Sequence, residues 1–556
     1  MYRQFRSVLV GALVASPPLS AQTVETLAQI DDVVAGVGNI QSVENVAVND
    51  SKTWLMVCDT DAPTAVNSVV LRDGLLLYRE DDGVDLPVGA TIEGFVDWEI
   101  DRHGNLVQHR RISDDGAILD GLYWNDRLMA LEETQVGAIG LGPKVWRSFD
   151  GFRLNSENQV LILGNIIDEE DIGAPVPGTN TLILVETNPN GDVIEKKTLV
   201  VEGYTIPGLP SPIDRFPTDP GSHTIALNRQ GDFLWSAITE DDIQYLMIGT
   251  ESVISFTNYG FLAPDDPDLD GRRIHHFENY RGDLNDMGDF VYSCRLQALN
   301  GPELETDYLV VVNDEKFVQE GDVIDSLAGA VIDDGTDAPI FITNARHVFW
   351  QAALRNTADA ENAAFLHDDK VIVRKGQTVL DGKLVVGINS GPNAFYVSSD
   401  GRYWLGRVVL AGVGDALAYA DFGLAVPIPG RGVNQGTLEV VDGSILLGQE
   451  VTLSFDNAQI PGAFSFLFFS PTPAIPGSEF GHLKDYGELL VGLPFSFFLL
   501  GPKWNGVAAE LIESLPMDPA LVDTMWYGQA AFLDFTHQSP EPIRLTNGLR
   551  IELGAP

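Results

Sequence analysis

Seven short stretches of this chain share one turn chemistry, and their repetition limits the possible fold more than any other feature. The clearest copy is Asn285-Asp286-Met287-Gly288-Asp289-Phe290. An Asn at the first position of a type I turn bonds the backbone two residues on, and Gly suits the fourth position. Leu284 before the turn and Phe290, Val291 and Tyr292 after it are apolar and β-favouring. The stretch therefore reads as a tight hairpin joining two buried strands.

Aligned on the first residue, the copies begin at Asn49, Asp101, Asn155, Asn228, Asn285, Asn344 and Ser398, always a short polar side chain. Three residues on stand Lys52, Gly104, Asn158, Gly231, Gly288, His347 and Gly401. Five residues on stand Trp54, Leu106, Val160, Phe233, Phe290, Phe349 and Tyr403, all large and apolar. Successive anchors are 52, 54, 73, 57, 59 and 54 residues apart. Most copies carry a second hairpin signal about 24 residues after the anchor, as in Asp73-Gly74, Asn125-Asp126, Asn313-Asp314 and Asp368-Asp369. Two hairpins make four strands, and four-stranded units at this period are the signature of a β-propeller. A helical solenoid would need a 3.6-residue apolar period, which these segments lack.

The expected fold is all-β, a seven-bladed β-propeller over about residues 23–430 followed by a C-terminal β-sandwich over 433–556. An N-terminal strand after Thr23 would complete the last blade and remove the exposed edges of the ring; Gly423–Pro427 is the other candidate for that strand. Residues 433–556 hold many short apolar runs, among them Val451–Phe455, Phe464–Phe469 and Met525–Phe535, separated by turn signals such as Asn547-Gly548. That pattern predicts a sandwich. Leu489–Leu500 is apolar, but it is short and contains Pro494, so no membrane span is expected.

Arg3 and Arg6 precede an apolar run from Val8 to Ala15, and Pro17-Pro18-Leu19-Ser20-Ala21 follows. This is the layout of a Sec-type signal peptide over residues 1–21, cleaved near Ala21. The expected location is secreted, periplasmic or at the cell surface. Eighty acidic residues against 34 basic ones give a net charge of −46. Such a surface repels phosphates, so nucleic acid is not an expected partner. Cys58 and Cys294 each lie nine residues after an anchor, where other copies carry Gly164, Ala237 and Ala353. Equivalent positions in separate blades are too far apart for a disulfide, and small residues there indicate burial.

The repeats, with Asn228-Arg229-Gln230-Gly231-Asp232-Phe233-Leu234-Trp235-Ser236-Ala237 as the best match, resemble a loosely defined family of bacterial secreted repeat proteins whose Asn-x-x-Gly-Asp-x-x-Phe-type units form a propeller. The tail, notably Trp526–Asp534 and Leu545–Arg550, is similar to a C-terminal β-domain common in exported bacterial proteins. Those motifs are structural, and the resemblance implies no activity for any residue.

No Gly-x-Ser-x-Gly elbow, His-Glu-x-x-His, Walker loop or Cys-x-x-Cys occurs, and no residue is assigned to catalysis or to an organic cofactor. The expected function is a secreted binding or scaffold protein for a protein or glycan ligand. The alternative is a carbohydrate-active or other hydrolytic enzyme working at the propeller face or channel. Inward carboxylates at a channel mouth would favour the enzyme. The longest connections, Asn165–Thr181, Tyr204–Ser222 and Tyr259–Tyr280, fall on one face of the expected ring and are the candidate ligand loops.

One metal site is expected. Asp266, Asp268 and Asp270, followed by Gly271, form the Asp-x-Asp-x-Asp-Gly opening of a Ca²⁺ loop. The bidentate Glu of the twelfth position is replaced by Phe277, with Glu278 one residue late. Incomplete ligation places the affinity on the order of 10⁻⁴ to 10⁻³ M. Ca²⁺ titration at fixed ionic strength should raise the melting temperature of the native protein, and Asp268→Ala should abolish most of that rise. Equal responses would mark an ordinary acidic loop.

Overall fold

A computed structural model describes residues 24–554 of the protein, apart from interruptions of which 217–224, 250–253, 259–271, 297–307, 457–463, 504–507 and 534–542 are the longest. The chain divides into two compact units, Val24–Tyr419 and Ala420–Pro556. Among the described residues helices are confined to single 3₁₀ turns, such as Thr64–Val66 and Asp359–Glu361.

Unit Val24–Tyr419 is a seven-bladed propeller. Blade 1 is a four-stranded antiparallel sheet of Asn45–Val48, Trp54–Asp59, Ser68–Arg72 and Leu75–Arg79. Blades 2 to 6 repeat this order, starting at Thr91, Lys144, Ile213, Ile274 and Val331. In blades 4 and 6 the innermost strand is broken into two pieces, Ile213–Arg215 with Ile225–Leu227 and Val331–Gly335 with Phe341–Ile342. Blade 7 takes its outer strand from the other end of the unit: Val24–Gln29 pairs with Gly414–Asp421. Leu424–Ile428, the rival for that role, pairs instead with Ile543–Glu552 in the second unit. Pairing the N-terminal strand with Gly414–Asp421 ties the two ends of the ring together by backbone hydrogen bonds.

Strand periodicity explains how the blades stack. Successive residues of a strand face opposite sides, so each blade sends alternate side chains to its two neighbours. Leu161 and Leu163 join Trp235 and Tyr245 of blade 4 in one buried cluster. Val160 and Ile162 join Trp124 and Val107 of blade 2 in another. The same logic buries Cys58 against Leu405 and Tyr419 across the seam between blades 7 and 1, and Cys294 against Leu234 between blades 4 and 5. The two cysteines form no disulfide. Burial, with Asp59 and Glu44 adding to it, pushes the Cys58 thiol up to about 12, which leaves it unreactive.

The anchors form a ring of hydrogen bonds at one end of the propeller. The Asn285 side-chain oxygen accepts from the N–H groups of Met287 and Asp289, fixing the turn. Its amide nitrogen donates across the blade boundary to the Thr343 carbonyl at 2.7 Å. Asn49, Asn155 and Asn228 reach the carbonyls of Asp101, Asn228 and Asn285 in the same way. The fourth turn position has positive φ throughout: Lys52, Gly104, Asn158, Gly231, Gly288, Arg346 and Gly401.

Two copies differ from the alignment. In the sixth, Thr343 and not Asn344 closes the turn, its N–H donating to His347 and its hydroxyl accepting from the His347 N–H. The strand then starts at Val348, whose N–H is held by Asp368 as Trp54, Leu106 and Phe290 are held by Asp73, Asn125 and Asn313. The residue equivalent to Cys58 is therefore Ala352, fully buried, rather than Ala353. In the seventh, the turn is one residue longer and Ser398 accepts from Tyr403. Thr343 and Asn344 are both short and polar, so local chemistry alone could not choose between them.

Unit Ala420–Pro556 holds a five-stranded sheet (Leu424–Ile428, Ile543–Glu552, Met525–Leu533, Phe464–Ser470, Phe497–Lys503) and a three-stranded one (Thr437–Asp442, Glu450–Asp456, Ala509–Ser514). Leu438, Leu453 and Phe455 of the smaller sheet share one core with Leu467, Phe469, Phe532 and Leu549 of the larger. Two sheets packed face to face around one core are the expected β-sandwich.

Asn285 is buried and serves four partners, so Asn285→Ala should cost about 2–4 kcal/mol, because two N–H groups and a carbonyl lose their partners together. Urea unfolding measures this. Met287→Ala, in the same turn but exposed, should change stability by less than about 0.5 kcal/mol.

Candidate functional site

The innermost strands of the seven blades surround a central cavity of about 430 Å³. Its walls carry Asp50, Asp97, Glu99, Asp101, Asp150, Asp283 and Asp286 against Arg102, Arg153 and Arg229. Seven carboxylates facing three guanidinium groups give the cavity a negative potential, which disfavours anionic ligands.

The position two residues before the anchor supplies a polar wall residue in four blades. It is Glu99 in blade 2, Arg153 in blade 3, Asp283 in blade 5 and Tyr396 in blade 7. Glu99 Oε2 accepts from the Leu154 N–H of the next blade at 2.6 Å, and Oε1 lies 3.0 Å from Arg153 Nη1. Asp283 repeats the device, its Oδ2 accepting from the Ile342 N–H of blade 6 at 3.0 Å. Asp97 accepts from the Asn45 amide of blade 1. These carboxylates therefore bridge blade boundaries as well as facing the cavity.

Burial raises the Glu99 carboxyl to about 7 from its usual 4.5, although Arg153 and the Leu154 N–H oppose the shift. Burial also raises Asp283, and it lifts the Tyr396 phenol well above its usual range. Asp150 is pushed up to about 6 by burial, opposed by the positive influence of His109 and reinforced by Glu202.

None of these residues was singled out from the sequence. In an acidic chain individual carboxylates carry no signal, but the aligned copies hold one: the position before the anchor is apolar in six of them, and the next position back varies among Ala, Glu, Arg, Asp, Ile and Tyr. The expected Ca²⁺ ligands Asp266, Asp268 and Asp270 lie outside the described residues. The candidate ligand loops are partly core. Ile206, Leu209 and Phe216, from Tyr204–Ser222, are buried against Trp235 and Leu182, so the first part of that connection plugs the junction of blades 3 and 4. In Asn165–Thr181 the flanking strands run to Asp168 and resume at Thr179, leaving 169–178 as the connection, opened by the 3₁₀ turn Glu169–Asp171. Tyr259–Tyr280 is described only from Arg272 on, where Ile274–Leu284 is strand.

No protein-family model matches the chain, and no curated protein matches it. Among solved structures it is similar to the Dos1 propeller, at 9% identity over 72% of this chain and 95% of that one, with a TM-score of 0.31. It is also similar to an α-L-arabinofuranosidase from Fusarium graminearum, at 11% identity over 71% of this chain and 97% of that one, with a TM-score of 0.25. A GH43 glycoside hydrolase is similar at 8% identity over 96% of this chain and 98% of that one, with a TM-score of 0.23. At such scores the fold rests on the strand pairing described above, and no activity follows.

The Glu99 shift has a stability consequence. Its folded pKa lies above the unfolded one, so the folded state holds the proton more tightly. The contribution to stability is complete below about pH 4.5 and is lost as pH rises towards 7. Between pH 5 and 8 this group should cost on the order of 2–3 kcal/mol. Glu99→Gln keeps an acceptor for the Leu154 N–H and carries no charge to desolvate. Urea midpoints at pH 5 and pH 8 should fall less in Glu99→Gln than in the wild-type protein; identical falls would refute the assignment.

Proposed function

We propose that this chain is an exported, non-catalytic binding or scaffold protein of the bacterial secreted-repeat kind, whose propeller takes an uncharged or cationic protein or glycan ligand at its central cavity. The observation that carries this reading is the use of the cavity carboxylates. Glu99 and Asp283 each accept a backbone N–H from the adjacent blade, and Glu99 is also paired with Arg153. A glycoside hydrolase needs one carboxyl to protonate a leaving group and a second to attack or activate water. Groups committed to holding blades together are poorly placed to do either. Export rests on the N-terminal Arg-flanked apolar run and on the acidic composition. Among the described residues no helix is long and apolar enough to cross a membrane.

A hydrolytic role is the second reading, and one observation favours it. Glu99 at about 7 and Asp150 at about 6 line the same cavity, and such values suit proton transfer near neutral pH. The two readings separate in one experiment. The mature protein is screened on a glycan array and, in parallel, against a panel of chromogenic glycosides and oligosaccharides, with Asp150→Asn as the cavity variant. The expected result is retention of a glycan that is weakened by Asp150→Asn, with no release of product. Turnover that Asp150→Asn abolishes would replace the binding reading with the enzymatic one.

A further inference from the structure

Blade 6 carries a cluster that the propeller architecture does not require. His347, His367 and Asp368 bring one ligand atom each within 4.8 Å of the others. His347 Nδ1 lies 2.7 Å from Asp368 Oδ2, and His367 Nε2 lies 3.7 Å from the same oxygen. We propose that these three side chains form a site for a borderline divalent cation, Zn²⁺ by preference, on blade 6.

Comparison with the other blades isolates what is special. The backbone bonds that align the two hairpins place Asp368 in register with Asp73, Asn125 and Asn313. Asp368 shares their structural duty, since its Oδ1 holds the Val348 N–H at 2.8 Å. His347 corresponds to Thr53, Asn105 and Asp289, and His367 to Arg72, Trp124 and Val312. In blade 5 the same two turns are joined by a plain hydrogen bond, Asn313 donating to Asp289 at 2.7 Å. A structural contact between the turns therefore needs neither imidazole. In blade 6 both are present, and both point at one carboxylate oxygen.

The geometry suits a small tetrahedral ion. Ligand atoms about 2.0–2.2 Å from Zn²⁺ stand about 3.3 Å from one another, and the observed 2.7 and 3.7 Å bracket that spacing. Binding needs only the proton between His347 and Asp368 to be displaced and the rings to shift by less than about 1 Å. Each ligand is already oriented by its surroundings. Phe349 stacks on the His367 ring at 4.4 Å and 5°, and the Val348 N–H fixes the Asp368 carboxylate. The partly exposed sides of His347 and Asp368 leave a fourth position to water. Two imidazoles and a single carboxylate select Zn²⁺, Cu²⁺ or Ni²⁺ over Ca²⁺ and Mg²⁺, which prefer shells of oxygen.

The test uses the full mature protein, stripped with chelator and held at high salt so that its acidic surface binds cations weakly. Zn²⁺ is titrated calorimetrically, and Co²⁺ is followed by its visible ligand-field absorption. His347→Asn and Asp368→Asn place in blade 6 the residue types that blade 2 uses at both positions, so both variants should fold. The wild-type protein should take up one equivalent of Zn²⁺ and show a tetrahedral Co²⁺ spectrum. Each variant should lose at least about tenfold in affinity, and an excess of Ca²⁺ should not displace the ion. Equal Zn²⁺ binding by the wild-type protein and both folded variants, or no binding by the wild-type protein, would overturn the site.

Discussion

One side-chain amide does two jobs in this propeller, and the ring depends on both. The oxygen of each anchor Asn accepts from the backbone two and four residues on and so sets a tight turn. The nitrogen donates to a carbonyl of the next blade. A turn former and a blade coupler are thus one residue, buried where water cannot compete. Where the anchor lacks an amide, neighbours supply the link. Asp101 has no donor, and Arg102 reaches Glu157 of blade 3 instead. Ser398 is too short, and Ser399 and the Asp400 N–H bond Asp50 across the seam.

The cavity extends the same principle inward. Glu99 and Asp283, two residues before their anchors, face the channel and also accept N–H groups of the adjacent blade, so part of its negative potential comes from groups that hold blades together. Those groups carry a desolvation cost, visible in the raised Glu99 and Asp283 carboxyls. Arg153 offsets part of it at Glu99. Blade 6 departs in another direction, placing two imidazoles where blades 1, 2 and 5 carry Thr53, Asn105 and Asp289 and Arg72, Trp124 and Val312, without disturbing the backbone bonds that both hairpins need.

By itself the sequence determined the repeat, the blade count, the four-stranded unit and the sandwich that follows, because each rests on local chemistry. Asn and Gly at fixed turn positions, and apolar residues at alternate ones, act within a few residues of chain. The burial of Cys58 and Cys294 was legible for the same reason: equivalent repeat positions share an environment. Only the tertiary structure decided the register of the sixth copy, where Thr343 and Asn344 are equally able to start the turn and Asp368, some 20 residues on, selects Thr343 by holding Val348. It also decided which strand closes blade 7, since Val24–Gln29 and Leu424–Ile428 are both plausible strands and differ only in where their partners lie. The same is true of the two clusters with chemistry. Glu99 with Arg153, and His347 with His367, are dispersed among 80 acids and nine histidines in the sequence, and they meet only because hairpins and blades far apart in the chain are brought side by side.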